Sequence, residues 1–424
     1  MLFGRFLKDN RGGSAPFLAL ALIPMMGVTG AAVDYSRANV VKAAMQSALD
    51  ATGLILSKNA HTMSAGDIGA QANAIFLAQF NRPEVQDVSL TYVFNAPQEG
   101  SFSLKLTAQA TLPTRFAMLI GTSQIQIGST SEIIWGMKKL NLALALDNTG
   151  SMASSGKMAA LKTAAHNLLN TLQKAEKQSG DIKISIVPFA TDVNVGKSNV
   201  EAPWIDWTQW ENVNGSCSST SYHTKNSCQS AGRIWSVDNK STWNGCVWDR
   251  DQNNDVSNTE TGDSAATRFR AHQAANCPAA MMPLSTDWAV LHGKIDQMTP
   301  AGNTNVTIGM AWAWQTLSPV EPMKAPAPAP DLDKVIILLT DGQNTQNRFT
   351  TSSTSIDSRT AKACENAKAD NVKVYTVRVI DGNANLLRDC ATKADMYYDV
   401  QDAADLNNVF ASIAQNLANL RIAK

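Results

Sequence analysis

Between residues 140 and 146 the apolar side chains of Leu140, Leu142, Leu144 and Leu146 alternate with Asn141, Ala143 and Ala145. A period of two with small residues between large ones predicts a strand covered on both faces. From residue 157 to 177 the spacing lengthens to three and four (Met158, Leu161, Ala165, Leu168, Leu169, Leu172), the mark of an amphipathic helix, and 182–189 is a second apolar strand. Strand, helix and strand in this order imply a parallel pair joined by a right-handed crossover. The alternation resumes after residue 284, with helices near 287–298 and 305–317, a strand at 335–339, a helix near 359–369, a strand at 373–379 and a last helix near 406–420. This pattern predicts an α/β fold with a doubly wound, mainly parallel sheet. The run APAPAP at 325–330 reads as a stiff, extended linker.

Upstream the pattern is different. Residues 15–33 are 19 residues without a charge, enough to cross the hydrocarbon layer as a helix. Arg5, Lys8 and Arg11 precede them and Asp34 follows, which places a short stub (1–14) in the cytoplasm and the chain after Tyr35 on the far side. A cleavable signal peptide is the alternative, since Ala31 and Ala32 are small, but the apolar run exceeds a usual signal core. A retained single-pass anchor is therefore expected. Helical spacing continues from 34 to 57 and again from 64 to 80, and then Val88, Leu90, Tyr92, Phe94 and Phe102, Leu104, Leu106, Ala108 alternate as strands, with a third β-like stretch at 125–134. Residues 34–137 thus form a small α+β juxtamembrane module, and the main domain is expected over 138–424.

Charge adds an exclusion. Thirty-six basic residues balance 36 acidic ones and none of the basic residues cluster, so nucleic acid is not an expected partner. The five histidines are scattered, no nucleophile motif is present and no Gly-rich phosphate loop occurs, so the chain is not read as an enzyme.

An insertion at 191–283 interrupts the main domain with six of the ten tryptophans and four of the six cysteines. It lacks clear periodicity and is expected to be a Cys/Trp-rich loop insertion whose tryptophans form its own core or, alternatively, line a binding surface. Outside the cytoplasm disulfides are permitted. Cys364 and Cys390 are expected to pair with each other; Cys217, Cys228, Cys246 and Cys277 allow three pairings, of which nearest-neighbour pairing is preferred. Ten residues separate Cys217 from Cys228, which disfavours zinc. Within the insertion Asp249, Asp251, Asn253, Asp255 and Glu260 occupy positions one, three, five, seven and twelve of an EF-hand-like loop, a candidate Ca²⁺ site, although position six is Asn254 rather than Gly.

The first strand ends in Asp147, Thr149 and Ser151, an acid and two hydroxyls at every second position. Hard oxygen donors at that spacing suit Mg²⁺, with Mn²⁺ as an alternative; the competing reading is a turn whose hydroxyls only cap the next helix. Thr304 lies in the turn-rich TPAGNTN, and Asp341 stands at the end of the strand IILLTDG. In an open α/β sheet both ends belong to the ligand-binding edge.

Together, D-x-T-x-S (Asp147, Thr149, Ser151), G-x-T-N (Gly302, Thr304, Asn305) and T-D-G (Thr340, Asp341, Gly342) resemble the three parts of the metal-ion-dependent adhesion site of von Willebrand factor type A domains. Thr149 stands where Ser is commoner, and Asn303 where a second Gly is usual. The segment RGGSAPFLALALIPMMGVTGAAVDYSR and the stretch WAWQTLSP at 312–319 are similar to TadG-like Flp pilus assembly proteins of bacteria. The resemblance implies a single-pass protein of the bacterial inner membrane, its bulk periplasmic, that binds a Glu or Asp carboxylate of a protein partner, such as another pilus or secretion component, through Mg²⁺. Its alternative is a structural subunit of an envelope assembly, or a surface adhesin, in which the metal mainly stabilises the fold.

Overall fold

The computed structural model describes residues 15–57, 63, 65–95, 101–136, 139–176, 178–329 and 331–420. The basic residues Arg5, Lys8 and Arg11, the domain start at 138 and part of the turn at 95–100 lie outside them. The chain divides into two compact units, 1–136 and 137–423.

In the first unit, α1 (Ala15–Ser57) is one continuous helix of 43 residues, where the sequence suggests an anchor followed by a second element. Among the described residues no helix is long and apolar enough to cross a membrane. The side chains of 15–19, the start of the apolar run, are not among those described. The first half of α1 nonetheless leaves Leu20, Met25, Met26 and Val28 exposed. From Ala38 onward one stripe of α1 (Val41, Met45, Leu49, Leu56) is buried with Ile68, Ala72 and Phe76 of α2 (Ala65–Gln79). Both cover an antiparallel sheet of β1 (Gln86–Asn95), β2 (Ser101–Pro113) and β3 (Gln124–Gly136), whose Leu104, Leu106, Ala108 and Ala110 complete the core. Asp34, buried within α1, accepts hydrogen bonds from the backbone N–H groups of Arg115, Phe116 and Ala117 at 2.7–3.1 Å. Those N–H groups, Ala117 foremost, hold its pKa down at about 2.

The second unit is built on a ten-stranded mixed sheet. Its parallel part runs β15 (Tyr397–Val400), β14 (Lys373–Val379), β13 (Leu332–Thr340), β4 (Lys139–Asp147), β5 (Ile182–Phe189). The alternation in β4 sorts its residues by size. Leu140, Leu142, Leu144 and Leu146 face one core with α3 (Lys157–Ala175), α6 (Trp288–Asp296) and α10 (Leu406–Leu420); Ala143 and Ala145 face the other, where α7 (Val306–Gln315) and α8 (Ser353–Ala369) lie. Small residues on that face let α7 come close. Gly309 of α7 sits so near Phe189 that a Cβ would fall 2.4 Å from the ring. Burial of Met310, Trp312 and Ala313 beside it makes α7 a central helix covered all round, which explains why its sequence lacks an amphipathic stripe.

The insertion is not the loop domain expected from its composition. Short strands β6 (Val193–Asn194), β7 (Ile205–Asp206), β10 (Cys246–Trp248) and β11 (Phe269–His272) carry the main sheet onward in the order β5–β6–β10–β11–β7, and β12 (Met282–Ser285) pairs antiparallel with β5 at Ile184–Ile186, away from the edge that β4 occupies. Two to four residues are too few to register as periodicity. Trp204, Trp210 and Trp243 share one core with Trp312 and Phe269, so these tryptophans are structural and belong to the main domain's core. Disulfides join Cys217 to Cys228, Cys246 to Cys277 and Cys364 to Cys390, the last tying α8 to α9 (Ala384–Cys390).

Candidate metal centre

Register brings the two acids together. Strands β4 and β13 pair in parallel from Lys139 opposite Leu332 to Leu146 opposite Leu339, so Asp147 and Asp341 emerge at adjacent strand ends. The loop at 299–304 is stitched to the same place. Ala301 N–H donates to Asn148 O (2.8 Å), Gly150 N–H to Gly302 O (3.0 Å), and the Asn148 side-chain amide to Thr299 O (2.7 Å).

One chain of polar contacts then links the donors. Thr149 donates from its N–H (2.8 Å) and its hydroxyl (2.5 Å) to Asp147 Oδ1. The Thr149 and Ser151 hydroxyls lie 3.0 Å apart, and Ser151 donates to Asp341 Oδ1 at 2.6 Å. Thr304 closes the group from the far side. A Cβ built on Gly342 would lie 3.4 Å from Ser151 Oγ and 3.5 Å from Thr304 Oγ1, so the two hydroxyls flank the same glycine. Asp147, Thr149, Thr304 and Asp341 are each at most 4% exposed.

Two residues outside the expected ligand set, Thr340 and Lys157, complete the site. Thr340 donates to Asp147 Oδ2 at 2.6 Å. Lys157, the first residue of α3, places Nζ 2.6 Å from Asp341 Oδ2, with both side chains buried. Thr340 belongs to the T-D-G motif without being one of its expected ligands; Lys157 opens an amphipathic helix, where a lysine reads as a solvated end. Burial pushes the Asp147 carboxyl up to about 6, and the Asp341 charge adds to the effect, against the hydrogen bonds from Thr149 and Thr340. Desolvation wins there because neutral donors offset only part of what water supplied.

The donor set fits a hard divalent cation: two buried carboxylates whose charges oppose each other, three hydroxyls, and a cradle at Gly342 that no side chain fills. Among the described residues no three His, Cys, Asp or Glu side chains gather at one point that could hold a metal ion; the donor set here has two carboxylates and three hydroxyls.

The candidate calcium loop is arranged differently. Asp249 accepts from the Asn305 amide at 3.0 Å and the Arg348 N–H at 3.2 Å; Asp251 pairs with Arg270 and Arg348; Asp255 takes Arg359, whose Nη1 also reaches Asn253 Oδ1 at 3.1 Å. Asp251 and Asp255 are neutralised by arginines from β11, α8 and the loop after β13, Asp249 meets the neutral Asn305 amide and Arg348 N–H, and Glu260 is in none of those ion pairs. Nothing in the 249–260 sequence signals partners so distant along the chain. Asp249 also anchors the segment that carries Thr304, because Asn305 follows Thr304 directly.

Two family models match the chain. That of the putative Flp pilus-assembly TadE/G-like family covers residues 12–55, and that of the von Willebrand factor type A domain covers 254–412. The chain carries a TadE/G-like segment and a type A domain. The type A match includes Thr304 and Asp341 and begins after Asp147, Thr149 and Ser151, which β4 and the turn after it bring to the same edge. Among solved structures, the pilus adhesin SpaC from Lactobacillus rhamnosus GG is 13% identical, covering 80% of this chain and 35% of its own, at a TM-score of 0.37. The von Willebrand domain of the type V pili tip protein Mfa5 from Porphyromonas gingivalis is 12% identical, covering 68% and 97%, at 0.40. Proximal thread matrix protein 1 from the mussel byssus, with a zinc-occupied adhesion-site motif, is 12% identical, covering 67% and 48%, at 0.36. The chain thus spans about a third to a half of the length of SpaC and the byssus protein. No curated protein matches it.

Proposed function

We propose that the chain is a membrane-anchored, extracytoplasmic protein-binding component of a Tad/Flp pilus assembly or secretion apparatus, and that its type A domain binds a partner's Glu or Asp carboxylate at a divalent-metal centre. Asp147, Thr149, Ser151, Thr304 and Asp341 would hold Mg²⁺, or Mn²⁺ in its place. The carrying observation is the unbroken polar path from Asp147 through Thr149 and Ser151 to Asp341, built on two segments distant in sequence. A bound cation supplies charge and a direction to an incoming carboxylate. The chain's own groups orient the donors and exclude water. Thr340 and Thr149 fix both Asp147 oxygens, and the stitched 299–304 loop fixes Thr304. The TadE/G-like match at 12–55 supports the pilus setting and the N-terminal anchor in the bacterial inner membrane.

The test is binding of an immobilised Glu-bearing peptide by the full chain, with Mg²⁺ and with chelator. Metal-dependent binding that Thr304→Ala abolishes supports the reading; binding of equal strength in chelator refutes it. A second reading, a structural envelope subunit or adhesin in which the metal serves the fold, is favoured by the exposed apolar side chains of α1 from Leu20 to Val33. Exchanging residues 15–33 for a foreign anchor separates the two, since a packed subunit would lose assembly and a binder would keep it.

A further inference from the structure

Asp147 and Asp341 are both buried at the centre, but they are neutralised unequally. Asp147 is met only by neutral donors, Thr149 and Thr340. Asp341 gives Oδ1 to Ser151 and faces the Lys157 ammonium with Oδ2, at 2.6 Å. The Lys157 side chain is 5% exposed and that of Asp341 is fully buried. A lysine is rarely buried unless paired, because desolvating its ammonium is costly. Its placement is built in: Ser155 and Gly156, at φ of 53° and 67°, turn the chain left-handed immediately before it, and Lys157 then opens α3.

We propose that Lys157 is the resident cation of the site, holding Asp341 in the metal-free protein and competing with the divalent ion for the same carboxylate oxygen. This rests on the reading of the site as a metal centre. Two carboxylates and one ammonium leave a net charge of −1, so the site is nearly balanced without any ion. A divalent cation beside the ammonium would put three positive charges against two negative ones. The ammonium must then withdraw, and a four-carbon stem at a helix start can swing outward while α3 stays in place. A monovalent ion carries no more charge than the tethered ammonium and gains nothing by displacing it. Lys157 thereby sets both the affinity of the site and its preference for divalent ions.

The experiment is calorimetric titration of Mg²⁺ into the full chain at fixed pH and ionic strength, for wild type, Lys157→Met and Lys157→Arg. Lys157→Met is expected to bind Mg²⁺ about tenfold more tightly or better, while Lys157→Arg stays near wild type. In chelator Lys157→Met should melt below wild type, and saturating Mg²⁺ should close the gap. Equal or weaker binding by a folded Lys157→Met overturns the proposal and leaves the metal centre standing. Absence of Mg²⁺ binding in all three proteins overturns both. A measurement on wild type alone guards against a variant that does not fold. Acetylation of Lys157 followed by mass spectrometry should be slow in chelator and fast in Mg²⁺, and a rate that Mg²⁺ leaves unchanged contradicts displacement.

Discussion

Ser151 donates its hydroxyl to Asp341 Oδ1 at 2.6 Å although 190 residues separate them. The contact exists because β4 and β13 are adjacent and in parallel register, so the residues just past each strand end share one edge. It makes the space around Gly342 the most sensitive point of the site. A methyl there would sit 3.4 and 3.5 Å from the Ser151 and Thr304 hydroxyls, distances a fold tolerates. Gly342→Ala should therefore change stability by no more than about 1 kcal/mol, yet weaken Mg²⁺ binding by filling the cradle between two donors. Denaturant midpoints and a metal titration of the same preparation check both halves.

Gly309 tests how α7 is seated. In an exposed helix, Gly→Ala would stabilise by about 1 kcal/mol. Here the new Cβ would approach Phe189 to 2.4 Å, and Phe189 is fully buried with nowhere to move. Overpacking of this kind costs about 1–3 kcal/mol, so the clash wins. Gly309→Ala should be destabilised on chemical denaturation, and metal affinity should fall with it, because α7 begins directly after Thr304 and Asn305.

Two buried aspartates respond to pH with opposite signs. Burial, opposed by the Arg348 N–H and the Asn305 amide, pushes the Asp249 carboxyl from 3.8 up to about 6. Its charge thus opposes folding, and stability should fall as pH rises from about 4 to 6, by an order of 2–3 kcal/mol. Asp34, held at about 2, contributes stability that is present above about pH 4 and lost as pH falls toward 2. In urea titrations at successive pH values, Asp249→Asn should reduce the loss between pH 4 and 6 without abolishing it, since Asp147 ionises in the same window. Asp34→Asn should remove only the acid-side loss.

The Cys364–Cys390 bridge closes a separation of 26 residues between two buried positions. Constraint of the unfolded chain predicts a contribution of about 3 kcal/mol. The double substitution Cys364→Ala with Cys390→Ala should lower the denaturation midpoint accordingly. Because both sulfurs are buried, the wild-type bridge should resist mild reductant until the domain unfolds.

Much of this site is legible in the sequence. The alternation of leucines and alanines marked β4, and acids at the ends of apolar strands pointed to the ligand edge of an α/β sheet. Thr304 stood out in a turn-rich stretch that opens a helix, and the resemblance to a known motif joined it to the two acids. What stayed hidden has physical reasons. Lys157 is buried by a left-handed turn at Ser155 and Gly156, and no periodicity reports a turn's direction. The insertion's strands are too short to show a period, so its tryptophans read as a separate module rather than as part of the main core. The EF-hand-like spacing of Asp249 to Glu260 is real, but Arg270, Arg348 and Arg359 reach it from elsewhere in the chain, and local spacing cannot show such partners.

The most direct measurement is calorimetric titration of Mg²⁺ and Mn²⁺ into the full chain, wild type beside Asp147→Ala and Asp341→Ala. Saturable binding by wild type that both substitutions abolish, with each variant still folded by circular dichroism, is the predicted result. Binding that survives both substitutions, or no binding by a folded wild type, would contradict a metal centre at Asp147 and Asp341.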